Sequence, residues 1–320
     1  MSGPPDVRRR ISRRGENHVR IQLKPIVRTA GVLAILASAS ALVIGQGAAP
    51  AQGGRGRGGA PAAAGPPPGP VPRMSNGKPD LSGHWAEPYT PNMGAKGTVR
   101  DPKTREPLAF PRLGESLAQA AASATGGGGR TFDLPFTEWG LKEWIAYDPV
   151  KNGDYAGSCF PFGMSRNINS PHGSQIIQNP DALAFLWEQN TWFHWVPTNG
   201  MKWPEDLVDQ WNGLSTGHWE GDTLVIETTK FNGYTKLDTT GHPLSKQLTL
   251  TNTFLRKDSD TMEHTVTVHD PKAYTQDWMN VRTWRIKKYP DVIMEYSCEE
   301  NNGGVYDGAI TLWKKPENVD

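Results

Sequence analysis

All twelve tryptophans of this chain lie at Trp85 or later, and through the C-terminal half apolar residues recur at every second position. Side chains two apart share a face on an extended strand but not on a helix, so this alternation commits the segment to half-buried strands. It is clearest over 247–256, 261–269 and 278–287. Leu248, Leu250, Asn252 and Phe254 fall on one side of the first run, opposite Thr249, Thr251 and Thr253. Met262, His264, Val266 and Val268 fall on one side of the second, opposite Glu263, Thr265, Thr267 and His269. Shorter stretches of the same kind cover 175–178, 182–188, 192–196, 217–220, 223–229, 291–298 and 309–314. Asn179-Pro180-Asp181, Gln189-Asn190 and Gly221-Asp222 mark turns between them, the last a strong hairpin signal. No helices alternate with the strands as a parallel sheet would need. The expected fold is mainly β: an antiparallel β-barrel or barrel-like sandwich, lipocalin-like in general shape, with an irregular N-terminal arm.

The first part of the chain is built differently. A basic stretch containing Arg8, Arg9, Arg10, Arg13, Arg14, Arg20, Lys24 and Arg28 precedes an uncharged apolar run, TAGVLAILASASALVI (29–44), and small residues follow it. Together these describe an export signal over 1–51. The apolar run is too short, and its flanks too rich in Gly and Pro, for a membrane span. Residues 52–75, dominated by Gly, Pro, Ala and Arg, have little to bury and read as a disordered linker. Residues 76–172 form the irregular arm, with a short helix capped by Thr137 and running to Tyr147. Residues 173–320 form the antiparallel β domain, a single globular unit with the arm, with a helical turn expected over 204–211. Four glycines close the stretch 118–129 with no Lys-Ser/Thr after them, so they are not a phosphate loop.

An export signal places the folded part in the periplasm or outside the cell. In an oxidising compartment the only two cysteines, Cys159 and Cys298, are most simply a disulfide. Lys and Arg number 34 against 33 Asp and Glu. Part of the positive charge leaves with the signal, so the remaining chain is slightly acidic, which argues against nucleic acid as the partner. No stable membrane span is expected after signal removal, and the partner class that remains is a small molecule.

Several polar residues stand out against this framework. Asn252 and His264 sit on the apolar faces of neighbouring strands; an open barrel would present them to a ligand, a filled one would pair them in its core. Asp238 and His242, four apart in a turn-rich loop, can act as a general base with its orienting carboxylate, or simply fix the turn. His264, His242 and Asp238 are therefore the catalytic candidates. Arg282 and Trp284 share one strand face, and Glu295 and Ser297 a face of the next, so an Arg282–Glu295 pair would orient a polar ligand. Trp278, Tyr274 and His194 complete the candidate ligand contacts, among aromatic walls that suit sugar rings, phenolics or terpenoids. The eight histidines include no HxH or HExxH, and His264 and His269 face opposite sides of a strand, so neither a metal site nor a cofactor is expected. No GxSxG marks a nucleophile.

PDLSGHW (79–85), CFPFGMSR (159–166), GHWEGDTLVIETTKFN (217–232), LDTTGHP (237–243), DPKAYTQDW (270–278) and MEYSCEEN (294–301) occur in this order. Together they resemble a large group of exported, mostly uncharacterised bacterial proteins abundant in soil bacteria, over nearly the whole chain beyond the linker. The resemblance implies a family and an exported location, and no activity. Members of that group often carry GHS and PHS where this chain has Gly213-Leu214-Ser215 and Pro243-Leu244-Ser245. Chemistry resting on those histidines does not carry over. The functional expectation is an exported β-barrel that binds a small, largely apolar or aromatic molecule. The alternative is a cofactor-independent lyase, isomerase, hydratase or hydrolase using the His and carboxylate groups of the same cavity.

Overall fold

The computed structural model describes residues 67–95, 97–108, 134–300 and 302–317. The export signal over 1–51, residues 52–66 of the linker and the glycine-rich stretch 118–129 lie outside the described residues. Nine strands form one antiparallel sheet: β1 Gly83–Ala86, β2 Ser174–Gln178, β3 Ala182–Trp187, β4 Phe193–Pro197, β5 Leu214–Glu220, β6 Thr223–Thr229, β7 Thr249–Arg256, β8 Thr261–His269 and β9 Trp278–Lys287. Four short helices accompany them among the described residues: α1 Glu138–Ala146, α2 Pro149–Asn152, α3 Met164–Asn167 and α4 Gly303–Tyr306.

The sheet order is β4-β3-β2-β1-β9-β8-β7-β6-β5. Two meanders, β2–β4 and β5–β9, are therefore joined through the four-residue strand β1, which pairs with β2 on one side and β9 on the other. The expected alternation holds. Leu248, Leu250, Asn252 and Phe254, and Met262, His264, Val266 and Val268, are all at most 1% exposed. The hairpin at Gly221-Asp222 joins β5 to β6, with Gly221 at φ +60, a left-handed conformation that glycine adopts without a steric penalty.

No backbone ladder joins the edge strands β4 and β5. They meet through side chains instead: His194 Nε2 lies 2.6 Å from Ser215 Oγ, which lies 2.6 Å from Thr228 Oγ1 on β6. Gly217 on β5 faces Thr198 and Val196, whose methyls would lie 3.0 and 3.3 Å from a Cβ placed there. The sheet is thus barrel-like, with a seam held by side chains.

The interior is filled by the chain itself. All four residues of α3 are buried, with Met164 wholly inaccessible, and Ile168, Asn169 and Ser170 follow it inward. Ser165 Oγ and Asn169 Nδ2 donate to Leu237 O at 2.7 and 2.9 Å, fixing this turn to the loop that precedes β7. Leu81, Trp85, Phe185, Trp187, Ile226, Phe254 and Trp284 pack around it as one core.

Two expected strands are absent. Residues 291–298 and 309–314 carry no ladder, because β9 already pairs with β8 and β1 and has no free edge to offer. The segment is held instead by the expected disulfide Cys159–Cys298, which spans 139 residues of sequence. Of the helical turn expected over 204–211 only one turn forms, with Leu207 N–H donating to Pro204 O at 3.4 Å; beyond it Gln210 N–H donates to Lys230 O at 2.8 Å and its backbone pairs with Phe231. Residues 67–75, the end of the expected linker, lie against the β domain: Gly69 N–H donates to Ser259 Oγ at 2.9 Å, and Arg73 forms a two-pronged pair with Asp222 at 2.9 and 2.6 Å. No helix among the described residues is long and apolar enough to cross a membrane.

Alternation gives a direct test. Phe254→Ala, which empties a fully buried site, is expected to cost about 3–5 kcal/mol in urea denaturation. Thr253→Ala, on the half-buried opposite face, is expected to cost less than about 1 kcal/mol. Equal losses would overturn the assignment of faces.

Candidate functional site

The interior polar residues form one connected group. The register of β7, β8 and β9 sets Phe254 opposite His264 and His264 opposite Arg282. His264 Nε2 lies 2.8 Å from Asn252 Oδ1, and the imidazole stacks on Phe254 at 4.6 Å and meets Trp284 edge-on at 5.2 Å. Burial, then the Arg282 charge, hold this imidazole well below its ordinary range, so it is neutral. Arg282 donates through Nη1 to Asn169 Oδ1 and, more weakly, to Ile168 O at 3.5 Å, both from the inserted turn. Burial draws its pKa down to about 10, while the charges of Asp238 and Glu87 oppose that fall. Glu87 is itself buried; it accepts from Ser174 Oγ at 2.7 Å, and burial raises it to about 8.

Asp238 and His242 do pair. His242 Nδ1 lies 2.5 Å from Asp238 Oδ2, and since the carboxylate only accepts, the proton sits on Nδ1. Asp238 also accepts from Met93 N–H at 2.6 Å and from Thr240 Oγ1 at 2.9 Å. Burial alone would raise this carboxyl, but the His242 charge and these hydrogen bonds outweigh it and hold it below the usual carboxylate range. Helix α1 covers the pair. Its Thr137 cap accepts from Gly140 N–H at 3.0 Å, and Gly140 lets the helix backbone approach Ala273 so closely that a Cβ would lie 2.1 Å from its carbonyl oxygen. Trp144 is thereby stacked on His242 at 5.6 Å, with Phe136 at 6.1 Å. Neither Asp238 nor His242 has any exposure. Their visible work is structural: they close the 238–242 loop and tie it to Met93 of the arm.

The remaining expected site residues divide in two. Tyr274, Trp278 and Trp284 are buried; Tyr274 donates its hydroxyl to Pro243 O at 2.8 Å and meets Trp278 edge-on at 5.4 Å. Glu295 is exposed in coil and forms no pair with Arg282, so the expected cross-strand partnership is corrected: the carboxylates whose charges act on Arg282 are Glu87 and Asp238. Glu87 gave no signal, standing alone before Pro88. His269 points outward and pairs with Asp277 at 2.6 Å. Among the described residues no group of three His, Cys, Asp or Glu is arranged to hold a metal ion.

Accessible cavities open instead at the surface. One, of about 260 Å³, lies along the β4–β5 seam and is lined by Trp192, Trp195, Trp203, Trp211, His194 and Asn212, among others. The outward face of edge strand β4 carries Phe193, 65% exposed, and Trp195, 41% exposed. Trp195 meets Trp203 edge-on at 5.7 Å, and Trp203 Nε1 donates to Ser215 O at 2.7 Å. Trp192 Nε1 and Asn212 Oδ1 are buried without hydrogen-bond partners, one a donor and one an acceptor. A second cleft, of about 380 Å³, is more polar and has Asp154 and Arg166 among its lining residues.

The buried ionisable groups set the pH dependence of stability. Burial pushes His194 down to about 4, and His264 also lies well below 6.5. The unfolded chain takes up these protons first, so stability falls as pH drops below about 6.5. For His194, titrating from 6.5 to about 4, the loss is ~3 kcal/mol by pH 4. Glu87 acts oppositely. Folded, it keeps its proton up to about 8; unfolded, it loses it near 4.5, so stability declines as pH rises between these values. Urea denaturation across pH is expected to peak at about pH 6.5, with His194→Gln flattening the acid limb and Glu87→Gln the alkaline one. A profile indifferent to both substitutions would contradict these assignments.

No protein-family model, curated protein or solved structure matches this chain at a significant level.

Proposed function

We propose that this protein is exported to the periplasm or secreted, and there binds a small, flat, largely apolar or aromatic molecule in the tryptophan cleft along the β4–β5 seam. The observation that carries this reading is the pair of large aromatics on the outward face of an edge strand, Phe193 and Trp195, beside a cleft lined by four tryptophans. Exposed apolar area of this kind has a free-energy cost that a bound ring removes. Its volume, about 260 Å³, lies just under the range of about 300–1,000 Å³ typical of drug-sized ligands, so it suits one ring system. The unpartnered Trp192 indole N–H and Asn212 carbonyl supply one donor and one acceptor to orient a hydroxylated ring. The disulfide Cys159–Cys298 supports an oxidising location. We further propose membership of the exported bacterial group, which the ordered motifs support. Acid/base catalysis by His264, or by His242 with Asp238, has no comparable support, because all three side chains are fully buried.

Phenolic and indolic probes such as 1-naphthol and indole are expected to quench tryptophan fluorescence and raise the melting temperature. Trp195→Ala is expected to weaken binding tenfold or more, about 1.4 kcal/mol, with little change in the stability of the free protein. Absence of binding by every such probe, or binding indifferent to Trp195→Ala, would defeat the reading.

A further inference from the structure

The larger cleft, of about 380 Å³, has chemistry unlike that of the tryptophan cleft. Two of its lining residues are paired: Arg166 donates through both terminal nitrogens to Asp154, at 2.8 and 2.6 Å. The guanidinium lies over Tyr155 at 5.0 Å and Phe162 at 5.4 Å, which fixes its plane. The pair is net neutral and rigid, so it favours neither a cation nor an anion. Two of the five guanidinium donors are taken by Asp154, whose Oδ1 also accepts, at longer range, from Ala156 N–H at 3.4 Å and the Tyr147 hydroxyl at 3.5 Å, and whose side chain keeps 22% of its surface exposed.

Asn190 lines the same cleft, and also a smaller adjoining one of about 210 Å³. Both polar atoms of its amide are buried, and neither has a hydrogen-bond partner. A buried amide without partners is disfavoured unless something supplies them. Its backbone is held at φ +63, followed by Thr191 at φ +53, a region a β-branched residue rarely adopts. Tyr89, 53% exposed, and Tyr296, steadied edge-on by His172 at 5.3 Å, add aromatic surface to the lining.

We propose that this cleft is a second binding site, for a neutral polyhydroxylated ring: a pyranose sugar or a sugar unit of a larger glycan. Adjacent hydroxyls donate to Asp154 and accept from Arg166. The Asn190 amide accepts from one hydroxyl and donates to the next, and a tyrosine ring packs on the apolar face of the sugar. The site is independent of the tryptophan cleft, with which it shares no lining residue among those described.

The test uses the exported chain with its disulfide intact, methyl glucopyranosides, methyl galactopyranosides and N-acetylglucosamine as probes, and saturation-transfer NMR with calorimetry as readouts. At least one pyranose is expected to bind. Asn190→Gly, which keeps the left-handed backbone and removes the amide, and Tyr89→Ala are each expected to weaken it at least tenfold without lowering the melting temperature. Trp195→Ala is expected to leave it unchanged. Tyr89 is exposed, so its variant keeps the test decisive should Asn190→Gly fail to fold. Absence of binding by every pyranose, binding indifferent to the cleft variants, or binding lost in Trp195→Ala would overturn the proposal. The last result would place the sugar in the tryptophan cleft and leave that site's reading standing.

Discussion

A guanidinium inside a β-sheet wall must be answered by nearby acceptors or the fold fails, because an unpaired buried charge costs several kcal/mol. Arg282 points inward from β9, and no neighbouring strand supplies its partners. They come from the arm, Asn169 and the Ile168 carbonyl by hydrogen bonds, with Asp238 adding its charge from the loop before β7. Satisfying one cation therefore dictates where residues 163–170 must run, and that path fills the concave face of the sheet. The same turn reaches Leu237, and Asp238 reaches Met93, so arm, loop and sheet wall form one interlocked polar group within an apolar core.

A filled interior moves any ligand to the outside. The seam between β4 and β5 is where the sheet is least complete, joined by hydroxyl and imidazole side chains rather than by a ladder. Strand edges left unpaired invite association with other chains, and here bulky aromatics stand over that seam. The polar cleft lies where the inserted turn emerges beside the disulfide, so the segment after β9 contributes to its wall through Tyr296, Cys298 and Asn302. The bridge thus closes a cavity wall as well as restraining the chain.

The strands β7, β8 and β9 were legible because each alternates apolar and polar residues against a one-sided core, and β8 and β9 occupy the spans their alternation predicts. The α1 cap was legible because Thr137 precedes an amphipathic stretch. The inserted turn was not: Ser165, Arg166 and Asn167 have no apolar period, and the side-chain partners of Ser165 and Arg166, Leu237 O and Asp154, lie outside the turn. Strands over 291–298 and 309–314 failed because local pattern says nothing about pairing, and β9, the strand that precedes them, is already paired on both sides. The tryptophans were equally opaque. Trp187, Trp278 and Trp284 are buried while Trp195 is exposed, and on β4 both faces are apolar, so alternation cannot tell Phe193 and Trp195 from His194 and Val196.

Residues 67–73 rest against the β5–β6 turn at Asp222 and the β7–β8 turn at Ser259. Antiparallel register puts both turns at one pole of the sheet, whereas the start of β4, the start of β5 and the Gln189–Thr191 connection lie at the opposite pole. Residues 67–73 are thus moored at the rear of the molecule, and both clefts face forward, free to sample the surrounding medium.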